Sequence, residues 1–166
     1  TAPTGSAAAG AELDWVVRLI SEIRTVRSEM NVPAGAKTDL LVQDGNDITS
    51  GRLSRHSDLI KRMARVETID TVSGETPKGA VQAIVDEATY FLPVGDVIDV
   101  VLETERLTKD IEKAEKEITQ VTKKLSNEKF TSRAPAEVVE ENRERLAEYE
   151  RTRDKLTEAL DRLKAL

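Results

Sequence analysis

The sequence predicts an α+β protein, in which a small antiparallel sheet with helices is followed by a long antiparallel two-helix coiled coil. Two observations carry this prediction. Up to Gly95, short β-rich runs and helical periodicities alternate with Gly and Pro turn signals, which is typical of a small mixed domain. After Asp96, charged residues dominate and apolar residues recur in a heptad pattern, which is typical of a coiled coil.

The composition excludes several kinds of site. The 166 residues include no cysteine and one histidine, His56, so disulfides, thiolate metal sites and histidine metal clusters are excluded. No stretch approaches the roughly 18 consecutive apolar residues of a membrane span. The net charge of −6 by itself argues weakly against nucleic acid, although the distribution of charge matters more than its sum. We expect a cytoplasmic protein without a membrane partner.

The elements up to Gly95 follow from local patterns. The small residues of 1–10 lack the basic and apolar runs of a secretory signal and predict a linker or a cut chain end. Apolar residues at helical spacing predict a helix over about 11–30. The further predicted elements are a strand at 39–42, a helix at about 47–66, a strand at 69–72 and a hairpin of strands at 81–85 and 89–94. Together they form one small, mostly antiparallel sheet with one or two helices, without a catalytic signature.

The coiled coil follows from two seams of residues spaced alternately by three and four. The first seam comprises Val100, Thr104, Leu107, Ile111, Ala114, Ile118, Val121 and Leu125. The second seam comprises Val139, Asn142, Leu146, Tyr149, Arg153, Leu156, Leu160 and Leu163. The short polar connection at 126–134 and Pro135, which suits the first turn of a helix, predict antiparallel neighbours. All eight layers then pair without a stutter, and the small Ala114 faces the large Tyr149.

One face of the first coiled-coil helix is basic, although the segment as a whole is acidic. Its outward positions carry Arg106, Lys109, Lys113, Lys116 and Lys123, and Lys124, Lys129 and Arg133 continue toward the tip. A ladder of cations along a rod is what contacts with nucleic-acid phosphates require. The alternative is an ordinary solvated face, in which Lys109 pairs with Glu105 and Lys116 with Glu112 one helical turn away.

Two further features have alternative interpretations. Phe130, in the tip loop, either closes the open end of the coiled coil or stacks on an exposed base. The helix around His56 is either a second phosphate contact surface or a solvated helix face. Its neighbouring cations are Arg52, Arg55, Lys61, Arg62 and Arg65.

The connection between the two heptad helices resembles a known family. Residues 125–130 (Leu-Ser-Asn-Glu-Lys-Phe) and 134–139 (Ala-Pro-Ala-Glu-Val-Val) are similar to the C-terminal arm of bacterial-type valyl-tRNA synthetases, which are class I aminoacyl-tRNA synthetases. Residues 90–93 (Tyr-Phe-Leu-Pro) and 97–100 (Val-Ile-Asp-Val) resemble the approach to that arm. Residues 23–33 resemble the last helix of the family's anticodon-binding domain and its exit loop.

The resemblance implies a particular division of the chain. Residues 1–10 are a linker or chain end, residues 11–95 the end of the anticodon-binding region plus a small α/β domain, and residues 96–166 an antiparallel coiled-coil tRNA-binding arm. In the family, this arm leans on the outer corner of the L-shaped tRNA. The tRNA-binding candidates are Arg106, Lys109, Lys113, Lys116, Lys123, Lys124, Lys129, Phe130 and Arg133.

The resemblance also implies that the active sites lie elsewhere in a longer protein. The full-length enzyme ligates valine to tRNA(Val) using ATP, and its class I nucleotide-binding motifs do not occur in this sequence. We therefore expect no catalytic residue, metal or cofactor in this chain, and ATP only in the full-length protein. The expected partners are tRNA(Val) and the rest of the synthetase in the same chain, in a monomer.

Two other functions remain open. The helical hairpin is also compatible with a protein-interaction or dimerisation module, which would lack salt-sensitive RNA binding. It is also compatible with the arm of a different synthetase, although the sequence of the tip loop disfavours this alternative.

Overall fold

The computed structural model describes residues 5–166, and within them the chain is α+β. Its helices are α1 (Gly5–Glu29), α2 (Asp47–Arg55), α3 (Ser57–Ala64), α4 (Val100–Ser126), α5 (Glu128–Arg133) and α6 (Ala136–Lys164). Its strands are β1 (Thr38–Gln43), β2 (Val66–Thr71), β3 (Ala80–Val85) and β4 (Ala88–Pro93). The chain forms two compact units, one made of its described residues up to Val100 with Ala165–Leu166, and the other of Val101–Lys164.

The four strands form one mixed sheet in the order β2-β1-β4-β3. β4 pairs antiparallel with β1, where Leu41 lies opposite Phe91, and with β3. β1 and β2 run parallel, with Leu40 opposite Ile69, so the prediction of an antiparallel sheet is wrong for this pair. The reason is the connection: α2 and α3 carry the chain back across the sheet, as a parallel pair requires, whereas a two-residue turn joins β3 to β4.

The predicted single helix at 47–66 is two helices that meet at His56. Asn46 caps α2, because its side chain accepts a hydrogen bond from the backbone N–H of Thr49 at 2.9 Å. The backbone of His56 leaves the helical region with φ −110° and ψ 16°. α3 ends at Arg65, which adopts the left-handed conformation with φ 53° and ψ 50°. β2 therefore begins at Val66, three residues earlier than predicted.

Helix α1 supplies one side of the hydrophobic core of the first unit. Trp15, Leu19, Ile23 and Val26 recur at spacings of three and four, and all four are fully buried. α1 contacts α3 and β3, and its burial gives about 1.5–3 kcal/mol for each large side chain. Residues 5–10, which were predicted as part of a linker, continue α1 because their alanines favour a helix; the rest of that prediction, residues 1–4, lies outside the described residues.

The second unit consists of two long helices and the short helix between them. On α4, Leu107, Ala114 and Val121 are buried at a spacing of seven, as the first predicted seam requires. On α6 the buried residues are Val139, Asn142, Ala159 and Leu163; of these, Ala159 lies outside the predicted seam. Ala114, Tyr149 and Leu156 line one cavity of ≈ 320 Å³, so α4 and α6 approach each other at this level. The connection, predicted as a loop, contains the helix α5, which Asn127 caps.

Candidate nucleic-acid interface

Four lysines of α4 form a face that we call the lysine face: Lys109, Lys113, Lys116 and Lys123. Their spacings of four, three and seven residues place them on the same side of the helix, and all four side chains are exposed. Within the described residues, none of the four lies within 4.0 Å of a carboxylate. The pairs expected for a solvated face, Glu105 with Lys109 and Glu112 with Lys116, are therefore not formed. Among residues 5–166, the lysine face is a row of cations with no direct counter-charge.

Arg106 differs from the four lysines, although it precedes them on the same helix. Its Nε donates to Glu103 at 2.8 Å, and its Nη1 lies 3.5 Å from a carboxylate oxygen of Asp110. Glu103 is buried, so this ion pair lies partly inside the unit. A phosphate at Arg106 would have to compete with two carboxylates, so this residue is the weakest candidate of the row.

The tip places Phe130 and Lys124 against each other. The Nζ of Lys124 lies over the Phe130 ring at 5.0 Å from its centroid, which is a cation–π contact. Phe130 is half-buried, so part of the ring stays open to solvent. Lys129 and Arg133 are exposed on α5, and within the described residues neither has a carboxylate within 4.0 Å. The tip thus adds uncompensated cations beside a partly accessible aromatic ring.

Some of the cations around His56 are paired with a carboxylate, which the sequence did not show. Glu12 on α1 pairs with Arg55 and with the Nε2 of His56 at 3.0 Å, and it lies 4.0 Å from Arg52. The hydrogen bond from Arg55, followed by that from His56, lowers the pKa of Glu12 to about 2. This part of the predicted phosphate surface already has its anion. Glu12 was missed because it lies more than forty residues away along the chain.

Within the described residues, no group of acidic and histidine side chains is arranged to hold a metal ion. Over the same part of the chain, each helix is too short or too polar to cross a membrane. The second unit presents a surface rich in charged side chains.

The second unit coincides with a known family of domains. Residues 99–164 match the family described as the valyl-tRNA synthetase tRNA-binding arm. The chain belongs to the valyl-tRNA synthetase family. The valine–tRNA ligase of Mesorhizobium japonicum is 48 % identical over 156 residues, which are 94 % of this chain and 17 % of that protein. The valine–tRNA ligase of Gluconobacter oxydans is 46 % identical over 155 residues, 93 % of this chain and 18 % of that protein. That of Granulibacter bethesdensis is 47 % identical over 156 residues, 94 % of this chain and 17 % of that protein.

The chain thus spans about 17 % of the length of the curated valine–tRNA ligases that it matches. The residues that match the tRNA-binding arm family include both the lysine face and the tip cations Lys124, Lys129 and Arg133. The sheet unit aligns with the same ligases, because the similarity to them extends over nearly the whole chain. The resemblance noted from residues 125–139 is therefore confirmed.

Proposed function

We propose that this chain is a C-terminal, tRNA-binding part of a valyl-tRNA synthetase and that it holds tRNA through the lysine face. The proposal rests on the lysine face: its four side chains are exposed and, in the described part of the chain, have no direct counter-charge. They lie in residues matched by a family described as a tRNA-binding arm. In the longer protein, residues 11–95 would form the end of the anticodon-binding region with a small α/β domain. That monomeric protein would use ATP to ligate valine to tRNA(Val).

The rod that presents this face is, we infer, an antiparallel coiled coil over residues 96–166. The buried apolar residues of α4 recur every seven positions, and Ala114 shares a cavity with Tyr149 and Leu156 of α6. Helices of this length at 1.5 Å rise per residue extend about 40 Å, which is several phosphate spacings along an RNA backbone. The tip cations Lys124, Lys129 and Arg133 extend the contact at one end, and Phe130 offers a ring for stacking on a base.

The contacts made by such a row would fix the position of tRNA rather than read its sequence. Lysine donates to phosphate oxygens as a point charge, and phosphates are the same at every nucleotide. Anticodon recognition in the upstream part would then supply identity, while the arm supplies affinity. Each cation that meets a phosphate releases condensed counter-ions, which makes the affinity depend on salt.

The test replaces all four residues of the lysine face by glutamine and measures binding of the chain to tRNA at several salt concentrations. We expect weaker binding and a slope of log K against log salt that falls by roughly one unit or less per lost contact. The matched control replaces four exposed cations of α6, Arg143, Arg145, Arg151 and Lys155, and so removes the same charge from the other helix. Equal losses in the two variants would show that only net charge matters. Binding without salt dependence, or self-association in place of RNA binding, would favour a protein-interaction module.

A further inference from the structure

A pocket between α1 and α3 gathers arginines from two distant parts of the sequence. Arg24 and Arg27 of α1 and Arg62 of α3, together with Arg65 just after α3, line an open cavity of ≈ 320 Å³. Its other lining residues are Ser28, Val32, Ala34, Met63 and Ala64, so the lining contains no carboxylate. Within the described residues, none of the four arginines has a carboxylate within 4.0 Å. We call these four residues the arginine pocket.

Arg27 is the anchor of the arginine pocket. Its side chain is buried, with 7 % of the residue exposed. Its guanidinium donates to the carbonyl oxygens of Ala36 at 2.7 Å and Pro33 at 3.2 Å, and more weakly to the Thr38 hydroxyl at 3.5 Å. All three partners are neutral. Burial, and then the charge of Arg65, lower the pKa of Arg27, but an arginine stays protonated in a protein. A fixed positive charge is therefore held inside the unit, and no carboxylate of the described residues pairs with it.

The clustering of four guanidinium groups around one cavity is electrostatically unfavourable. Buried charges are normally paired, and like charges that converge on one cavity repel each other. Arg65 adds backbone strain, since its φ of 53° lies in the left-handed region, where a Cβ crowds the following carbonyl oxygen. An anion in the cavity would relieve the repulsion. Residues kept in unfavourable conformations and charge states are typical of ligand sites.

The surroundings of the arginine pocket favour a polymeric anion. Lys37 and Lys61 line a second cavity that shares Arg62 and Arg65 with the first, so the positive surface continues beyond it. Asp58 and Glu67 also line this second cavity, which confines the acid-free region to the first. Guanidinium groups match phosphate oxygens with two parallel hydrogen bonds. A polynucleotide with one phosphate in the first cavity and a neighbouring phosphate beside Lys61 would contact both cavities.

We propose that the arginine pocket binds a backbone phosphate of RNA, as a second contact separate from the lysine face. The assignment of RNA rests on the proposed function, whereas the phosphate chemistry rests on the pocket alone. Arg24 and Arg62 would grip the phosphate from the two helices, and Arg27 would stay fixed behind them as a positive charge. The contact joins a polynucleotide to the sheet unit, which the arm family's match at residues 99–164 does not include.

The test uses the chain with Arg24→Gln and Arg62→Gln together, because both side chains are exposed and their removal leaves the core intact. Its matched control carries Lys78→Gln and Lys155→Gln, which remove two exposed cations outside the pocket. Two readouts are compared: tRNA affinity, and the rise in Tm caused by inorganic phosphate at constant ionic strength. For the unmodified chain we expect millimolar phosphate to raise Tm by about 2–4 °C. Circular dichroism confirms that each variant is folded.

The proposal expects the pocket variant to lose the phosphate-dependent rise in Tm and about 10-fold in tRNA affinity relative to the control. Loss of the rise in Tm with unchanged tRNA affinity would overturn the RNA assignment and leave a site for a free phosphate or nucleotide. No rise in Tm in the unmodified chain, with equal tRNA affinity in both variants, would overturn the pocket altogether. The lysine-face variant should retain the rise in Tm, so failure of the lysine face and failure of the pocket give different results.

Discussion

At the scale of single residues, Glu12 links two helices that the sequence keeps far apart. It accepts hydrogen bonds from Arg55 and His56, and these bonds hold its pKa at about 2. Arg52 lies near this carboxylate and also places its guanidinium over the Trp15 ring, at 5.6 Å from the ring centroid. One carboxylate therefore fixes α1 to the junction of α2 and α3, beside the largest side chain of the core.

The lowered pKa of Glu12 predicts a pH dependence of stability. Because the folded-state pKa lies below the usual value of 4.5, the stabilisation is complete above that value and is lost as pH falls toward about 2. We expect Glu12→Gln to lower the urea midpoint at pH 7 and to converge with the unmodified chain near pH 2. The control is Glu75→Gln, on an exposed loop residue. A difference between the unmodified chain and Glu12→Gln that stayed constant from pH 7 to pH 2 would contradict the assignment.

At the scale of elements, Arg65 at the end of α3 lowers the stability of the fold but contributes a cation to the arginine pocket. The left-handed conformation of Arg65 is one that glycine adopts without strain. We expect Arg65→Gly to raise the free energy of unfolding by about 0.5–1 kcal/mol, since strain is relieved while the unfolded chain gains some freedom. The same change should weaken phosphate-dependent stabilisation, because one cation of the pocket is lost. Urea titrations with and without inorganic phosphate measure both effects, and a variant that is less stable in both would refute the strain argument.

The elements also show which parts of the fold were readable from the sequence. The hairpin of β3 and β4 and the core face of α1 follow from local periodicity and were predicted to within a few residues. The parallel pairing of β1 with β2 was missed, because periodicity places residues on a face but does not select a partner strand. The break at His56 was missed too, since no Gly or Pro marks it.

The same limit applies to the candidate sites. The lysine face was predicted because its residues share one helix, so that their spacing alone puts them on one side. The arginine pocket was not predicted as such, because Arg24 and Arg62 come together only through the packing of α1 against α3. Likewise, the sequence placed Arg55 among free cations, and only the fold brings Glu12 to it.

At the scale of the whole molecule, the antiparallel arm makes a prediction about distance. If α4 and α6 pair as proposed, Leu125 lies opposite Val139 within one chain. The natural chain has no cysteine, so Leu125→Cys with Val139→Cys should oxidise to a single intramolecular disulfide. Non-reducing electrophoresis should then show a monomer without free thiols.

The control for this experiment pairs Leu125→Cys with Leu163→Cys, which lie at opposite ends of the proposed antiparallel arm. This pair should keep both thiols free within one chain. If it cross-linked instead, or if the first pair gave only covalent dimers, the helices would be parallel between chains and the proposed arm would be wrong.

The position of β1 in the sheet has a consequence for the order in which the protein folds. β1 lies between β2 and β4, and its residue Leu41 pairs with Phe91 of β4, which follows the α2–α3 crossover, β2 and β3 along the chain. As the chain leaves the ribosome, β1 is made first of the four strands but must wait for the last of them to complete its hydrogen bonding. Long-range pairings of this kind form slowly, and an unpaired strand edge can associate with other chains in the meantime. The sheet therefore closes only once Pro93 has emerged, whereas each helix of the second unit can form locally as it is synthesised.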